Sequence, residues 1–286
     1  MKLTKDKKIL IVGLGLLGGS YARALTRQGY TVSAITRSRK SIDYAVKEGI
    51  IEKGSAFPDE ERIREADLAV FALYPHVFLE WIEAHGSLFR PGTVLTDVTG
   101  VKGAVVEKVQ SMLPSGVEFI AAHPMAGREV CGVENSTDAI FRDANYIVVP
   151  TEKNTPGAIE LCRDLGKKLG FARISELTPE KHDEMIAFLS QLTHCIAVSL
   201  MCANADPGLV DYTGDSFRDL TRIARINEEM WSELFLLNRP ALLKEMDAFR
   251  ESFDQFYDAI EKGDTDRMKD MMRRSTVRRA LFDKKG

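Results

Sequence analysis

His123 ends a strand-like run, Phe119-Ile-Ala-Ala-His123, and Pro124 fixes the backbone behind it. An imidazole near its unperturbed pKa accepts a proton at neutral pH, so a histidine at a carboxyl strand end is a candidate general base for an alcohol. Ser190 and His194 stand i,i+4 apart in an otherwise apolar helical stretch from Met185 to Met201, which puts both on one face. They read either as the polar lining of a cavity or as a satisfied buried pair. Further on, Gly214-Asp-Ser-Phe-Arg218-Asp-Leu-Thr-Arg222 brings two arginines, again i,i+4, beside two acids. That set makes a planar, bidentate clamp for a carboxylate, or else a local salt-bridge network. Thr99 follows the strand-like Thr93–Asp97 and is a candidate substrate contact or a helix cap. Lys102 opposes the dipole at a helix start, which suits a structural or anion-related role.

The elements that must position these groups begin at residue 8. A short β-branched run, Ile9 to Val12, stops at Gly13, Gly15 and Gly18 in G-x-G-x-x-G spacing, and a helical pattern follows. Strand, tight turn and helix N-terminus in that order hold a pyrophosphate, with Gly13, Gly15, Leu16, Leu17 and Gly18 facing the anion. Gly29 caps the helix before a second strand, 30–36. An NAD-type site carries an acid at the end of that strand; here Thr36, Arg37, Ser38 and Arg39 stand there, with no acid before Asp43. Arg37 and Arg39 suit a 2′-phosphate, so NADP is favoured over NAD; the alternative is an ordinary basic surface loop.

Strand-like segments recur at 8–12, 30–36, 67–73, 93–97, 117–122, 145–150 and 171–174, separated by helical ones. The alternation predicts an α/β fold, a Rossmann-like, mostly parallel sheet. Thr178-Pro179 starts a helix, and helical patterns dominate from there on, so we expect a nucleotide-binding domain at 1–177 and an all-α domain at 178–286. Leu242, Met246, Phe249, Phe253, Phe256 and Ile260 form a narrow apolar stripe between Asn238-Arg-Pro240 and Gly263-Asp264. It reads as an intramolecular core or, more sharply, as part of a homodimer interface. The basic tail at Arg273, Arg274, Arg278 and Arg279 reads as a solvated helix face.

The 286 residues carry 39 Lys+Arg against 42 Asp+Glu, a balance that excludes an electrostatic case for nucleic acid or anionic membrane. The charged start of the chain is unlike a signal peptide, and no apolar run is expected to reach the length of a membrane span. Cys131, Cys162, Cys195 and Cys202 contain no C-x-x-C pair; reduced thiols, a cytoplasmic location and no metal are expected.

Taken together, the Gly-Leu-Gly-Leu-Leu-Gly-Gly-Ser opening, Asp97…Lys102-Gly103, His123-Pro-Met-Ala-Gly-Arg-Glu129, Ser190…His194 and Phe217-Arg-Asp-Leu-Thr-Arg-Ile-Ala224 with Met230-Trp231 resemble the prephenate/arogenate dehydrogenases of tyrosine biosynthesis. The resemblance runs over nearly the whole length. It implies oxidative decarboxylation of a cyclohexadienol, a dimerising helical domain, and a stand-alone enzyme without a fused mutase or regulatory domain. It assigns His123 to acid/base chemistry, Arg222 with Arg218 to the carboxylate, and His194 with Ser190 to the side chain, pyruvyl in prephenate or alanyl in arogenate. Two departures stand out. Gly100 occupies the place of a serine found in many members, leaving Thr99 as its possible replacement, and Ser190-Gln-Leu-Thr-His194 replaces Ser-His-Leu-Pro-His. A two-domain 3-hydroxy-acid dehydrogenase is the rival enzyme, but its Lys-x-x-x-Asn motif is missing; a non-catalytic NADP-sensing dimer is the rival outside enzymes.

Overall fold

The unbroken apolar run of β1 (Lys8–Val12) sends its two faces to different cores. Ile9 and Ile11 join Tyr21, Leu25, Val32 and Val70 on one side; Leu10 and Val12 join Phe71, Phe78, Ile82 and Leu95 on the other. Burial on both faces is the property of a parallel strand covered by helices above and below. The computed structural model, which describes residues 2–128 and 130–283, continues this logic. After β1 come α1 (Leu16–Arg27), β2 (Thr31–Ile35), α2 (Arg39–Lys47), β3 (Lys53–Ser55), α3 (Glu60–Glu65) and β4 (Leu68–Phe71). Then follow α4 (Pro75–His85), β5 (Val94–Asp97), α5 (Val106–Met112) and β6 (Glu118–Phe119). The strands lie in the order β3-β2-β1-β4-β5-β6, every neighbouring pair parallel. Strand order reverses between β1 and β4, and in such sheets ligands sit outside the carboxyl ends at the reversal.

A second, three-stranded sheet holds β7 (Ala121–Pro124), β8 (Asn145–Val149) and, after α6 (Pro156–Leu169), β9 (Arg173–Glu176). β7 runs antiparallel to β8, with His123 opposite Ile147, and β9 runs parallel to β8. The single strand expected over 117–122 is therefore two. β6 stays in the large sheet opposite Leu95, and the chain then crosses to pair with β8. β3 was not expected, because Lys53-Gly-Ser has no apolar run; pairing to β2 alone makes it a strand.

Among the described residues no strand follows Glu176. Thr178 caps α7 (Pro179–Ile186), its hydroxyl accepting from the Lys181 N–H at 3.2 Å. A π-helical turn, Ala187–Leu192, leads directly into α8 (Thr193–Cys202). The resulting 24-residue helix corrects one expectation: by length and composition it could cross a membrane. Its buried His182, Asp183 and Gln191 are instead hydrogen-bonded to side chains and backbone elsewhere in the protein. α9 (Asp215–Thr221), a 3-10 turn at Arg222–Ala224 and α10 (Glu228–Leu237) complete a compact unit of residues 1–238. The change from strands to helices near residue 177 falls inside this unit. A second unit, 239–286, holds α11 (Arg239–Glu261) and α12 (Thr265–Arg279), joined at Gly263 (φ +65°), with Asp264 capping α12. Along the stripe on α11, Leu242 is buried, while Phe249, Phe253 and Ile260 are exposed.

The turn after β1 needs glycine at two places for steric reasons. Gly13 has φ +94°, and a Cβ there would lie 2.3 Å from the Ala72 carbonyl oxygen; one at Gly18 would lie 1.9 Å from the carbonyl oxygen of Gly13. A Cβ on Gly15 would meet no protein atom within 4 Å. We expect Gly18→Ala to cost about 1–3 kcal/mol of unfolding free energy, and Gly15→Ala to stay within about 0.5 kcal/mol of wild type. Denaturant titration compares the two, and equal losses would contradict this steric reading.

Candidate active site

Asp97 ends β5 completely buried, and it is satisfied from three directions. Its Oδ1 accepts from the Ala122 N–H at 3.0 Å; its Oδ2 accepts from the Thr99 N–H at 3.0 Å, the Thr99 hydroxyl, and Lys102 Nζ at 2.6 Å. Lys102 is equally buried, and Nζ also donates to the Ala122 carbonyl at 2.7 Å and to Thr99 Oγ1 at 3.2 Å. Three acceptors match the three donors of an ammonium. Burial pushes the Lys102 pKa down, and Asp97 beside it pulls it back. Thr99, a candidate substrate contact, thus has its hydroxyl engaged inside the loop and is 4% exposed. It caps no helix, since α5 starts at Val106 with Val105 as its cap residue; Thr99 instead closes the turn after β5 against Asp97.

The Lys102 and Gly103 N–H groups each donate at 2.8 Å to the Asp183 carboxylate on α7. Asp183 Oδ1 also lies 2.7 Å from Nδ1 of His182, whose Nε2 lies 2.8 Å from Nδ1 of His123. Hydrogen-bond logic settles the tautomers. A carboxylate only accepts, so His182 carries its proton on Nδ1 and offers the Nε2 lone pair; His123 must then donate from Nδ1. Nε2 of His123 is left as the acceptor on a half-buried ring. Burial pushes the His123 pKa well below the ordinary histidine value, and His182 and Lys102 add to that; burial also lowers His182 against the pull of Asp183. Both rings are neutral at pH 7.

His194 lies twelve residues beyond His182 on the same helix, about 18 Å along its axis. Its Nδ1 donates to the Ser190 carbonyl at 2.8 Å, and its ring stacks on Trp231 of α10 with centroids 3.7 Å apart. Ser190 is half-buried in the π turn, a widened helical form frequent at functional sites. Gln191, where the resembled motif has histidine, is a buried strut: it donates to the Leu234 carbonyl at 2.9 Å and accepts from Asn238 at 2.7 Å. Arg218 is exposed and bonded to Asp215 at 3.0 Å and to the Thr213 carbonyl at 2.9 Å, the local network of the second reading. Arg222, also exposed, opens the 3-10 turn that packs on α8.

At the other end, α1 follows Gly15 as its cap residue with no side-chain cap, which leaves the N–H groups of the first turn, Leu16, Leu17 and Gly18, without an intrahelical acceptor beside the open space at Gly15. Ala72 and Leu73 close the turn from the side of β4. The residues fit a dinucleotide pyrophosphate. Thr36 and the exposed Arg37 follow β2, Ser38 caps α2, and Arg39 pairs with Asp43 at 3.0 Å. The acid nearest the ribose position is therefore committed to an arginine.

His182 and Asp183 were not singled out by sequence, and Trp231 stood there in a quoted motif without a role. An adjacent His-Asp pair near the start of a helix was a visible signal; its reach across to His123 was not. Glu129, the last residue of the motif that begins at His123, lies outside the described residues.

Two family models cover most of the chain: prephenate dehydrogenase, nucleotide-binding domain, over residues 21–175, and prephenate dehydrogenase, dimerization domain, over 178–274. A prephenate dehydrogenase of Bacillus subtilis is 31% identical over 278 residues, covering 94% of this chain and 74% of the relative. A cyclohexadienyl dehydrogenase of Zymomonas mobilis is 30% identical and covers 92% of each. Among solved structures, prephenate dehydrogenase from A. aeolicus in complex with hydroxyphenyl propionate and NAD+ superposes with a TM-score of 0.89 at 27% identity, covering 99% of this chain and all of that one.

Removing one member of a buried ion pair strands the other. Lys102→Met should cost about 3–5 kcal/mol of stability, read by urea unfolding. A loss below 1 kcal/mol would mean that Asp97 finds water or another donor.

Proposed function

The chain belongs to the prephenate dehydrogenase family of oxidoreductases, and we propose that it oxidatively decarboxylates prephenate to 4-hydroxyphenylpyruvate with NADP as the preferred cofactor. The observation that carries the reading is the hydrogen-bonded line Asp183–His182–His123, which ends in a lone pair on His123 Nε2 at a carboxyl strand end.

When bound, the nicotinamide accepts the two electrons and the hydrogen from the carbinol carbon. His123 Nε2 takes the hydroxyl proton as that happens. The carbonyl so formed is conjugated to the carbon bearing the ring carboxylate; CO2 leaves, its bonding electrons enter the ring, and the same oxygen recovers its proton from His123 as a phenol. The reaction thus returns the base to its starting state, which suits a ring that burial keeps neutral. Asp183 and His182 hold the tautomer. Arg222 binds and orients the ring carboxylate. That charge fades as CO2 forms, so the arginine gains nothing selectively in the transition state. His194, braced by Trp231, and Ser190 meet the pyruvyl end. Arogenate is the second reading, because an arogenate dehydrogenase of Synechocystis also superposes on this chain, with a TM-score of 0.83 at 26% identity.

NADP preference rests on Arg37, with Arg39 beside it, and on the absence of an acid available to the ribose; the A. aeolicus structure holds NAD+, so this is a property of this chain's own loop. Exposed apolar residues on α11 and the dimerization-domain match support a homodimer through the C-terminal helices, and four unpaired cysteines suit the cytoplasm.

His123→Asn should leave a folded protein with near-normal cofactor affinity while lowering kcat by about two to four orders of magnitude. In wild type, kcat/KM for prephenate should be level through neutral pH and fall only below about 6.5, because a base with a depressed pKa stays deprotonated until then. Steady-state kinetics on prephenate and arogenate decide the substrate, and turnover of neither would sink the reading. Arg37→Ala should weaken NADP at least about tenfold more than NAD, since only NADP offers a phosphate to lose. Equal losses would remove the NADP assignment.

A further inference from the structure

α4 begins at Pro75 with Tyr74 as its cap residue and no side-chain cap of its own. Proline has no N–H, so His76 supplies the first donor that the helix N-terminus must satisfy. The acceptor comes from 157 residues away. Glu233 on α10 takes the His76 N–H on Oε1 at 2.6 Å and His76 Nδ1 on Oε2 at 2.8 Å. Six residues earlier, at the cap of α10, the Asn227 amide reaches the Tyr74 hydroxyl at 3.3 Å. The segment so held, Ala72 to His76, is the one whose Ala72 and Leu73 pack against Gly13 and Gly18.

The rest of α10 faces the other half of the site. Trp231 stacks on His194, the Leu234 carbonyl accepts from Gln191, and the Leu234 side chain lies 3.5 Å from where a Cβ on Gly100 would stand. One ten-residue helix with its cap thus contacts Tyr74 and His76, just after the wall of the dinucleotide turn, the His194 ring, and the loop leading to Lys102. We propose that α10 couples the two binding events, with Glu233 and His76 as positioning residues: ordering of the Ala72–His76 segment by the dinucleotide is passed through Glu233 to Trp231 and His194. This rests on the functional reading above.

Coupling between two ligands is a ratio of affinities and is measurable without turnover. The probes are NADP+ and hydroxyphenyl propionate, each titrated alone and with the other saturating. Wild type should bind NADP+ at least about fivefold more tightly in the presence of hydroxyphenyl propionate. In Glu233→Gln and in His76→Ala the NADP+ affinity alone should stay within about threefold of wild type, while the coupling ratio drops below about twofold. The double variant should lose no more than either single one, as expected for partners in one contact. A coupling ratio unchanged in either variant, or absent in wild type, would overturn the proposal. So would a fall in thermal midpoint and in the affinity for each ligand alone by the same proportion, since that is what a merely structural contact does. Failure of wild type to bind either probe would instead overturn the functional reading, and the coupling with it.

Discussion

The Asp97–Lys102 ion pair sits where every part of the proposed chemistry meets. Both side chains are fully buried, and moving two charges out of water is costly unless every lone pair and proton finds a partner. Here each does, and the partners are not incidental. Asp97 and Lys102 between them hold both the N–H and the carbonyl of Ala122, the residue before His123. The backbone N–H of Lys102 fixes Asp183, which orients His182, which orients His123. The position of the His123 ring and its tautomer are thus two consequences of one buried pair.

The departure of the chain from the parallel sheet after Phe119 follows the same constraint. Had β6 continued, His123 would extend the large sheet in register with β5. Instead β7 turns to pair with β8, and the amide of Ala122 is satisfied by Asp97. A polar residue at the end of β5 does the work that a ladder hydrogen bond would otherwise do. The cost of burying a charge and the placing of the His123 ring off the large sheet are met by the same atoms.

The helix from Pro179 to Cys202 shows how composition misleads. It is apolar enough to resemble a membrane span, yet its polar residues carry its meaning: His182 and Asp183 face β7 and the Lys102 loop, and Gln191 ties to Leu234 and Asn238. The π turn at Ala187–Leu192 lies between the base end and His194, so the two polar groups of this helix stand in different registers.

How much of this was legible depends on whether the cause is local. The glycine turn, the Gly29 and Gly263 helix ends, the Thr178-Pro179 start and the doubly buried strands follow from steric and hydrogen-bonding limits that act within a few residues, so sequence alone determined them. His123 stood out in the sequence beside Pro124, but its place inside β7, opposite Ile147, and its line to His182 and Asp183 did not. What sequence could not contain was which polar groups find each other across 81 or 157 residues, as Lys102 finds Asp183 and His76 finds Glu233. The local partners of Thr99 and Arg218 came from the fold, and β3, which looked like loop, is made a strand by β2. Those outcomes depend on how burial and hydrogen-bond satisfaction are shared among distant segments, and only the tertiary structure makes that division.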